Sequence, residues 1–329
     1  MADIQLRFHK DMLVLSEPIM TGLEKLGLNV ARDGELTLLL EPEVFEEAYK
    51  LDMLTGVQCL IAPTATLTPA RLTHTNMRER AQELAHTAIR IMQAQKPQHI
   101  LVEIGPCGLP LDASSKASLN ENCDQYKRAA LLFENETFDA FFLNGFTRIT
   151  DLKCALIGMR KVSDAPILAS VNIDAQGLLP SGETILDAVT VMAEYGAQTA
   201  GFQTGAPISD ACRIASSIRQ AICLPILTQL YVSHRNEDQT APTPENPYYD
   251  AETMVDAADA LRESGVQFLR ATGEATPAYT GALVAATDDL DAILLSGTTV
   301  TRNAENMPPV EDIATQLREK VAKAINNLT

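Results

Sequence analysis

The sequence predicts an α/β chain folded as a single (β/α)8 TIM barrel with a C-terminal helical extension. Three observations carry that expectation. Eight short apolar runs recur along the chain, longer amphipathic segments separate them, and no glycine-rich dinucleotide fingerprint follows the first run. An open doubly wound sheet would place such a fingerprint there, so the closed barrel is preferred.

The runs lie at 12–15, 59–62, 100–104, 140–143, 167–171, 199–202, 226–230 and 268–271. Each is continuously apolar, which suits a strand covered on both faces, as in a parallel sheet. Between them, segment 77–95 sets Ala81, Leu84, Ala85, Ala88, Ile89 and Met92 on one helical stripe. Segments 151–162, 182–195, 210–222 and 250–265 behave similarly, the last ending on Gly265, a residue suited to the position after a helix. Met20, Met53, Met77 and Met92 fall on helical faces and read as core filler. Residues 201–205 read as a strand-to-helix turn, with a small anion nest as the alternative. Residues 233–249, with three prolines and no periodicity, form a long loop after the seventh strand, either a lid or mobile surface. Segment 291–295 and a helix at 310–327 make the C-terminal extension. No linker interrupts the pattern, so residues 1–329 are read as one domain.

Composition narrows the function. The 26 Lys and Arg against 43 Asp and Glu leave a net charge of −17, which repels phosphate backbones and anionic lipid. The densest basic stretch, 71–80, is interleaved with Thr, His and Glu and has no aromatic residue, so neither nucleic acid nor membrane is an expected partner. No apolar run approaches the roughly 18 residues of a membrane span, and the first ten residues lack a secretory pattern. Six cysteines stand singly, without C-x-x-C. Cys154 and Cys212 lie in predicted helices, and Cys59 and Cys223 in or beside predicted strands. They read as buried thiols in a reducing, cytoplasmic setting.

In a barrel, strand ends and the loops after them converge on one mouth. Those positions hold Ser16, Glu17, Pro63, Thr64, Glu103, Cys107, Asn144, Asn172, Asp174, Gln203, Thr204, Gln229, His234, Arg270, Thr272 and Glu274. Amides and hydroxyls of this kind orient a small polar molecule but are poor proton shuttles near neutral pH. Glu103, Asn144, Asn172, Gln203, Thr204, Gln229, Arg270 and Thr272 are therefore the substrate-binding candidates, with Arg270 as the anchor for a carboxylate or phosphate. Glu103 and Glu274 form the candidate carboxylate pair, and a strand-end Glu suits pairing with Arg270 as well as acid–base work. The pattern assigns no catalytic residue and no Ser–His–Asp set. For a metal, only His74, His234 and Cys107 could meet at the mouth, a thin set that the bland reading leaves as two surface histidines and a buried thiol.

Three stretches carry a family resemblance: Ile104-Gly-Pro-Cys-Gly-Leu-Pro-Leu111, Phe146-Thr-Arg-Ile-Thr-Asp-Leu-Lys-Cys-Ala-Leu156 and Gly265-Val-Gln-Phe-Leu-Arg-Ala-Thr-Gly-Glu-Ala-Thr-Pro277. In this order the chain resembles the homocysteine S-methyltransferase family, including the homocysteine-binding barrel of cobalamin-dependent methionine synthase. The resemblance implies a barrel and methyl-transfer chemistry of the kind used in methionine biosynthesis. In the family, one Cys after the sixth strand and two adjacent Cys after the eighth hold Zn²⁺, which makes the homocysteine sulfur a thiolate. The matching positions here are Thr204, Thr272 and Gly273, so no cofactor is expected to bind through the family's zinc motif. The Glu of the family's Glu-Thr-Phe stretch becomes Asn144, and its Asp-Gly-Ala-x-Gly-Thr start becomes Ser16-Glu-Pro-Ile-Met-Thr21. Two functions follow as expectations. One is methyl transfer to or from a small polar substrate without zinc-thiolate activation, beside a methyl-corrinoid or methyl-folate donor on a partner such as a corrinoid protein. The other is a non-catalytic ligand-binding or partner subunit derived from the family.

Overall fold

The computed structural model describes residues 3–235 and 239–293. Eight parallel strands close into a barrel in sequence order: β1 (Leu13–Leu15), β2 (Cys59–Ala62), β3 (His99–Ile104), β4 (Ala140–Phe146), β5 (Ile167–Asn172), β6 (Thr199–Thr204), β7 (Ile226–Val232) and β8 (Val266–Gly273). Closure is made by β8 returning to β1, with Leu13, Val14 and Leu15 in register with Phe268, Leu269 and Arg270. All eight predicted runs are strands, most of them one to three residues longer than the apolar core that signalled them.

The helices are α1 (Ile19–Lys25), α2 (Val30–Leu40) and α3 (Pro42–Leu54) before β2, then α4 (Pro69–His74) and α5 (Ala81–Gln95) before β3. Single helices follow the later strands: α6 (Lys116–Leu131), α7 (Ile149–Arg160), α8 (Ile185–Glu194), α9 (Ile208–Ala221), α10 (Thr253–Glu263) and α11 (Pro277–Thr287). Local chemistry sets their ends. Asn29 and Ser115 accept hydrogen bonds from the backbone N–H groups of Arg32 and Ser118, and Thr184 forms a capping box with Asp187. That box starts α8 three residues after the predicted start at Gly182. Segment 77–95 opens with a 3-10 turn, Arg78–Arg80, before the α-helix begins. Gly265 follows α10 with φ +89°, as its position predicts. The first βα unit holds three helices where one was expected, because its stripes are short and broken at Gly27 and Pro42.

Each strand alternates its side chains between two cores. Leu13, Leu15, Ile61, Leu101, Phe142, Leu168, Leu227 and Phe268 fill the cylinder, and the residues between them pack outward against the helices. The floor is closed by the 3-10 turn Ile4–Arg7. Ile4 is fully buried, and the Phe8 ring meets Phe268 edge-on at 5.8 Å. Gln267 pins this plug: its Nε2 donates to the carbonyls of Arg7 and Asp11, and its Oε1 accepts from His9 N–H. The barrel is thereby closed at this end and open at the other. The four methionines pack against the outer core as expected.

Some expectations change. Cys223 is exposed and Cys212 half-buried, because both sit at the outer surface of α9 and its following turn; Cys59, Cys107, Cys123 and Cys154 are buried thiols. Asp291 makes a single antiparallel bridge to Asp11. The rest of segment 291–295 beyond Ile293, and the helix expected at 310–327, lie outside the described residues. Among the described residues, no helix is long and apolar enough to cross a membrane.

The tightest helix contact is between α6 and α7, where a Cβ on Gly158 would lie 2.1 Å from the Cys123 carbonyl oxygen. Gly158→Ala therefore forces two backbones apart and is expected to cost about 1–3 kcal/mol in urea-unfolding free energy. Cys223→Ala, at the surface, is expected to leave the midpoint unchanged.

Candidate functional site

The inward parity of the core continues two residues further along each strand. Glu103 of β3, Asn144 of β4, Ser170 of β5, Gln229 of β7 and Arg270 of β8 thus form one layer above the apolar fill. Arg270 is the centre of this layer and is 2 % exposed. Its Nε donates to the Ser16 carbonyl at 2.8 Å and its Nη1 to Gln229 Oε1 at 3.0 Å. Gln229 Nε2 donates onward to Ser170 Oγ and to Asn144 Oδ1, both at 2.8 Å. Asn144 Nδ2 then donates to Glu103 Oε1 at 2.7 Å. A cation at one end and a carboxylate at the other leave each amide a single satisfied orientation. The Phe142 ring, 5.6 Å from the guanidinium carbon, adds a cation–π contact from below. Burial pulls the Arg270 guanidinium below the ordinary arginine range, and the charges of Glu103 and Glu17 oppose that pull.

Above this layer opens a cavity of about 400 Å³. Its wall includes four of the predicted residues, Glu103, Asn144, Arg270 and Thr272. Gln229 is fully buried and stands behind them as the bridge. Asn172, Gln203 and Thr204 are not in this wall. Asn172 keeps a buried Oδ1 without a partner. Thr204 is one residue past the inward-facing Gln203, so its side chain turns the other way, and its Oγ1 accepts from Ala206 N–H at 3.1 Å. This turn leads directly into α9, which is the plain reading of residues 201–205.

Several expected groupings do not form. Glu274 pairs with Lys25 at the rim, 2.9 Å away, and not with Glu103. Glu103 reaches Arg270 only through the two amides. His74 and His234 are exposed, whereas Cys107 is buried with its Sγ 3.2 Å from Asn122 Oδ1. Among the described residues, no group of three or more His, Cys, Asp or Glu is placed to hold a metal ion. Asp174 closes a local turn by accepting from the N–H groups of Gln176 and Leu178. In the loop after β7, Tyr248 is buried and donates its hydroxyl to the Ala206 carbonyl at 2.8 Å, which fastens that part of the loop to the barrel. Residues 236–238 of the same loop lie outside the described residues.

Among the wall residues that sequence reasoning missed are Glu35 and Tyr231, and it undervalued Glu17. Glu35 comes from α2, accepts from Thr66 Oγ1 at 2.7 Å and lines the cavity, although it sits on a helix. Tyr231, near the end of β7, stands over Gly273. Glu17 was visible as a strand-end residue and becomes part of the wall. The strand-end rule finds none of the helix contributions, because the extra helices of the first unit fold over the rim.

Arg270→Met should remove the positive charge that offsets Glu103 and Glu17 and strand the Gln229 carbonyl. The expected loss is about 3–5 kcal/mol of unfolding free energy. Gln229→Leu, which breaks the same chain without removing a charge, should cost about 1–3 kcal/mol. Equal, near-zero effects in urea titrations would mean that the chain carries no load.

A small, partly polar cavity over a charge-terminated network at the C-terminal face defines a barrel-mouth small-molecule site. Residues 15–287 match the family model described as homocysteine S-methyltransferase, and the chain belongs to that family. Among solved structures, it is similar to the homocysteine methyltransferase MmuM from Escherichia coli. The metallated form aligns with TM-score 0.67 at 16% identity, covering 84% of this chain and 96% of that one. The oxidised form gives 0.68 at 16% and the apo form 0.63 at 15%, with the same coverage. At such identities the likeness is one of fold. No curated protein sequence matches the chain.

Proposed function

We propose that this methyltransferase-family barrel transfers a methyl group to or from a small polar substrate at its mouth, without zinc-thiolate activation. The observation that supports the reading is the chemistry at Thr204, Thr272 and Gly273, the three positions that the sequence resemblance sets against the family's zinc cysteines. Thr204 is turned out of the mouth and spends its hydroxyl on its own turn. Thr272 offers a neutral hydroxyl. Gly273 offers nothing: at φ +71°, a Cβ there would lie 2.5 Å from the Val232 carbonyl and 2.9 Å from the Tyr231 ring. This donor set does not fit a tetrahedral Zn²⁺ site.

Methyl transfer is an in-line displacement that positioning and fixed dipoles can accelerate without a metal. The hydrogen-bonded amides of Asn144 and Gln229, between Arg270 and Glu103, supply such dipoles at the cavity wall. The donor suited to this chemistry is a methyl-corrinoid or methyl-folate, presented by a partner such as a corrinoid protein. The second reading, a ligand-binding or partner subunit without catalysis, is favoured by a different observation, that Arg270, Gln229, Asn144 and Glu103 already hydrogen-bond to one another.

Incubation with methylcobalamin or methylfolate and a panel of thiol, amine and hydroxyl acceptors, homocysteine included, should yield a methylated acceptor by mass spectrometry. Acceptors bound but never methylated would turn the assignment to the second reading. Metal analysis of the purified protein should find zinc well below one per chain, and stoichiometric zinc would defeat the metal-free mechanism.

A further inference from the structure

Beside the mouth lies a second depression, an apolar groove of about 680 Å³ bounded by α1, α3 and the turn into α11. The wall between groove and mouth contains two carboxyl groups. Glu17, 5 % exposed, lines both spaces, and Asp52 of α3, 1 % exposed, lines the groove. Thr280 of α11 donates its hydroxyl to Glu17 Oε2. Asp52 Oδ2 is buried with no hydrogen-bond partner.

The cations near Asp52 are Arg270, whose charge opposes the rise in the Asp52 pKa only weakly, and Lys25, and neither makes a hydrogen bond or ion pair to Asp52. Arg270, the nearest cation, spends Nε and Nη1 on Ser16 and Gln229. Lys25 of α1 is paired with Glu274. Tyr49, one turn before Asp52 on α3, donates its hydroxyl to the Ile61 carbonyl at 2.7 Å. The remaining charged neighbours, Glu43 and Glu47 on the groove side and Glu103 on the mouth side, are acidic. Two bare carboxylates in so dry a wall repel each other and lack solvation. A single proton on Asp52 removes one charge and turns the orphan oxygen into a donor toward Glu17. Burial first, and the Glu17 charge second, push the Asp52 carboxyl up to about 10.

We propose that Glu17 and Asp52 share one proton across the neutral range and that Glu17 takes the proton released by the methyl acceptor in the mouth. The second clause rests on the methyl-transfer reading above. As the acceptor's electron pair forms its bond to the methyl carbon, that carbon's bond to the donor breaks and the donor leaves with the pair. The acceptor's proton passes to the Glu17 carboxylate, so both acids end neutral, the state that burial favours. Glu17 is then the catalytic base, and Asp52 is a positioning residue that holds it.

The test uses the full chain. Infrared spectra of the wild type should show a carboxylic-acid C=O band that persists through neutral pH and disappears near pH 10, and Asp52→Asn should lack it. Stability supplies the sign. A folded pKa raised above the unfolded value gives stabilisation that is complete below about pH 4 and is lost as pH climbs toward the folded value. The melting temperature of the wild type should thus fall over that window, and Asp52→Asn should flatten the fall. Absence of the band in the wild type at neutral pH overturns the shared proton, whether or not the variants fold. With methylcobalamin as donor and homocysteine as acceptor, Glu17→Gln should lower kcat about a hundredfold with KM unchanged. An unchanged kcat removes the base from Glu17. A wild type that shows the band but transfers nothing defeats the methyl-transfer reading, and the base with it, while the shared proton stands.

Discussion

Arg270 holds a positive charge where water does not reach, and the mouth of the barrel is arranged around keeping it there. Taking a guanidinium out of water is costly unless its donors are met and a countercharge is near. The Ser16 carbonyl and the Gln229 amide meet two of its nitrogens. The countercharge is Glu103, reached through Gln229 and Asn144 by hydrogen bonds rather than by contact. Because both ends of the chain are charged, neither amide can flip without setting like against like. Five strands are tied together by side chains at the one level where the barrel opens, and the cavity inherits a hydrogen-bonded wall.

The same economy explains what this wall offers. Three carboxylates, Glu17, Glu35 and Glu103, face a cavity in which Arg270 is largely spent on its own neighbours. Arg270, expected as the anchor for a carboxylate or phosphate, is hydrogen-bonded to the Ser16 carbonyl and Gln229 and also lines the cavity. At the closed end the logic is apolar. Ile4 and Phe8 plug the cylinder and Gln267 holds the plug by hydrogen bonds to the backbone, so one end is closed by apolar packing and the other is lined by the polar layer.

Much of this was legible in the residues alone, though unevenly. Continuous apolar runs marked all eight strands, because a strand covered on both faces has no polar period to hide it. Glu103, Asn144, Arg270 and Thr272 were legible because strand ends converge wherever strands close into a barrel. Thr204 was misjudged by one residue of parity, since a strand end shows where a side chain lies in sequence but not to which side it turns. Glu35 was invisible, because a glutamate on an amphipathic helix reads as solvent-facing until the helix is folded over a rim. Cys223 was read as buried for the opposite reason: its neighbours are apolar, but the turn that carries it points outward.

The order and number of strands, the family and the identity of the strand-end side chains were determined by the sequence, because periodicity and motif are local properties of the chain. Only the tertiary structure decided that Arg270 is bound inward, that two amides connect it to Glu103, and that Glu17 and Asp52 line one groove with no ion pair to Asp52. Those outcomes depend on closure. When β8 meets β1, residues more than two hundred positions apart share one dry layer, and the balance of charge among them is set by distance in space.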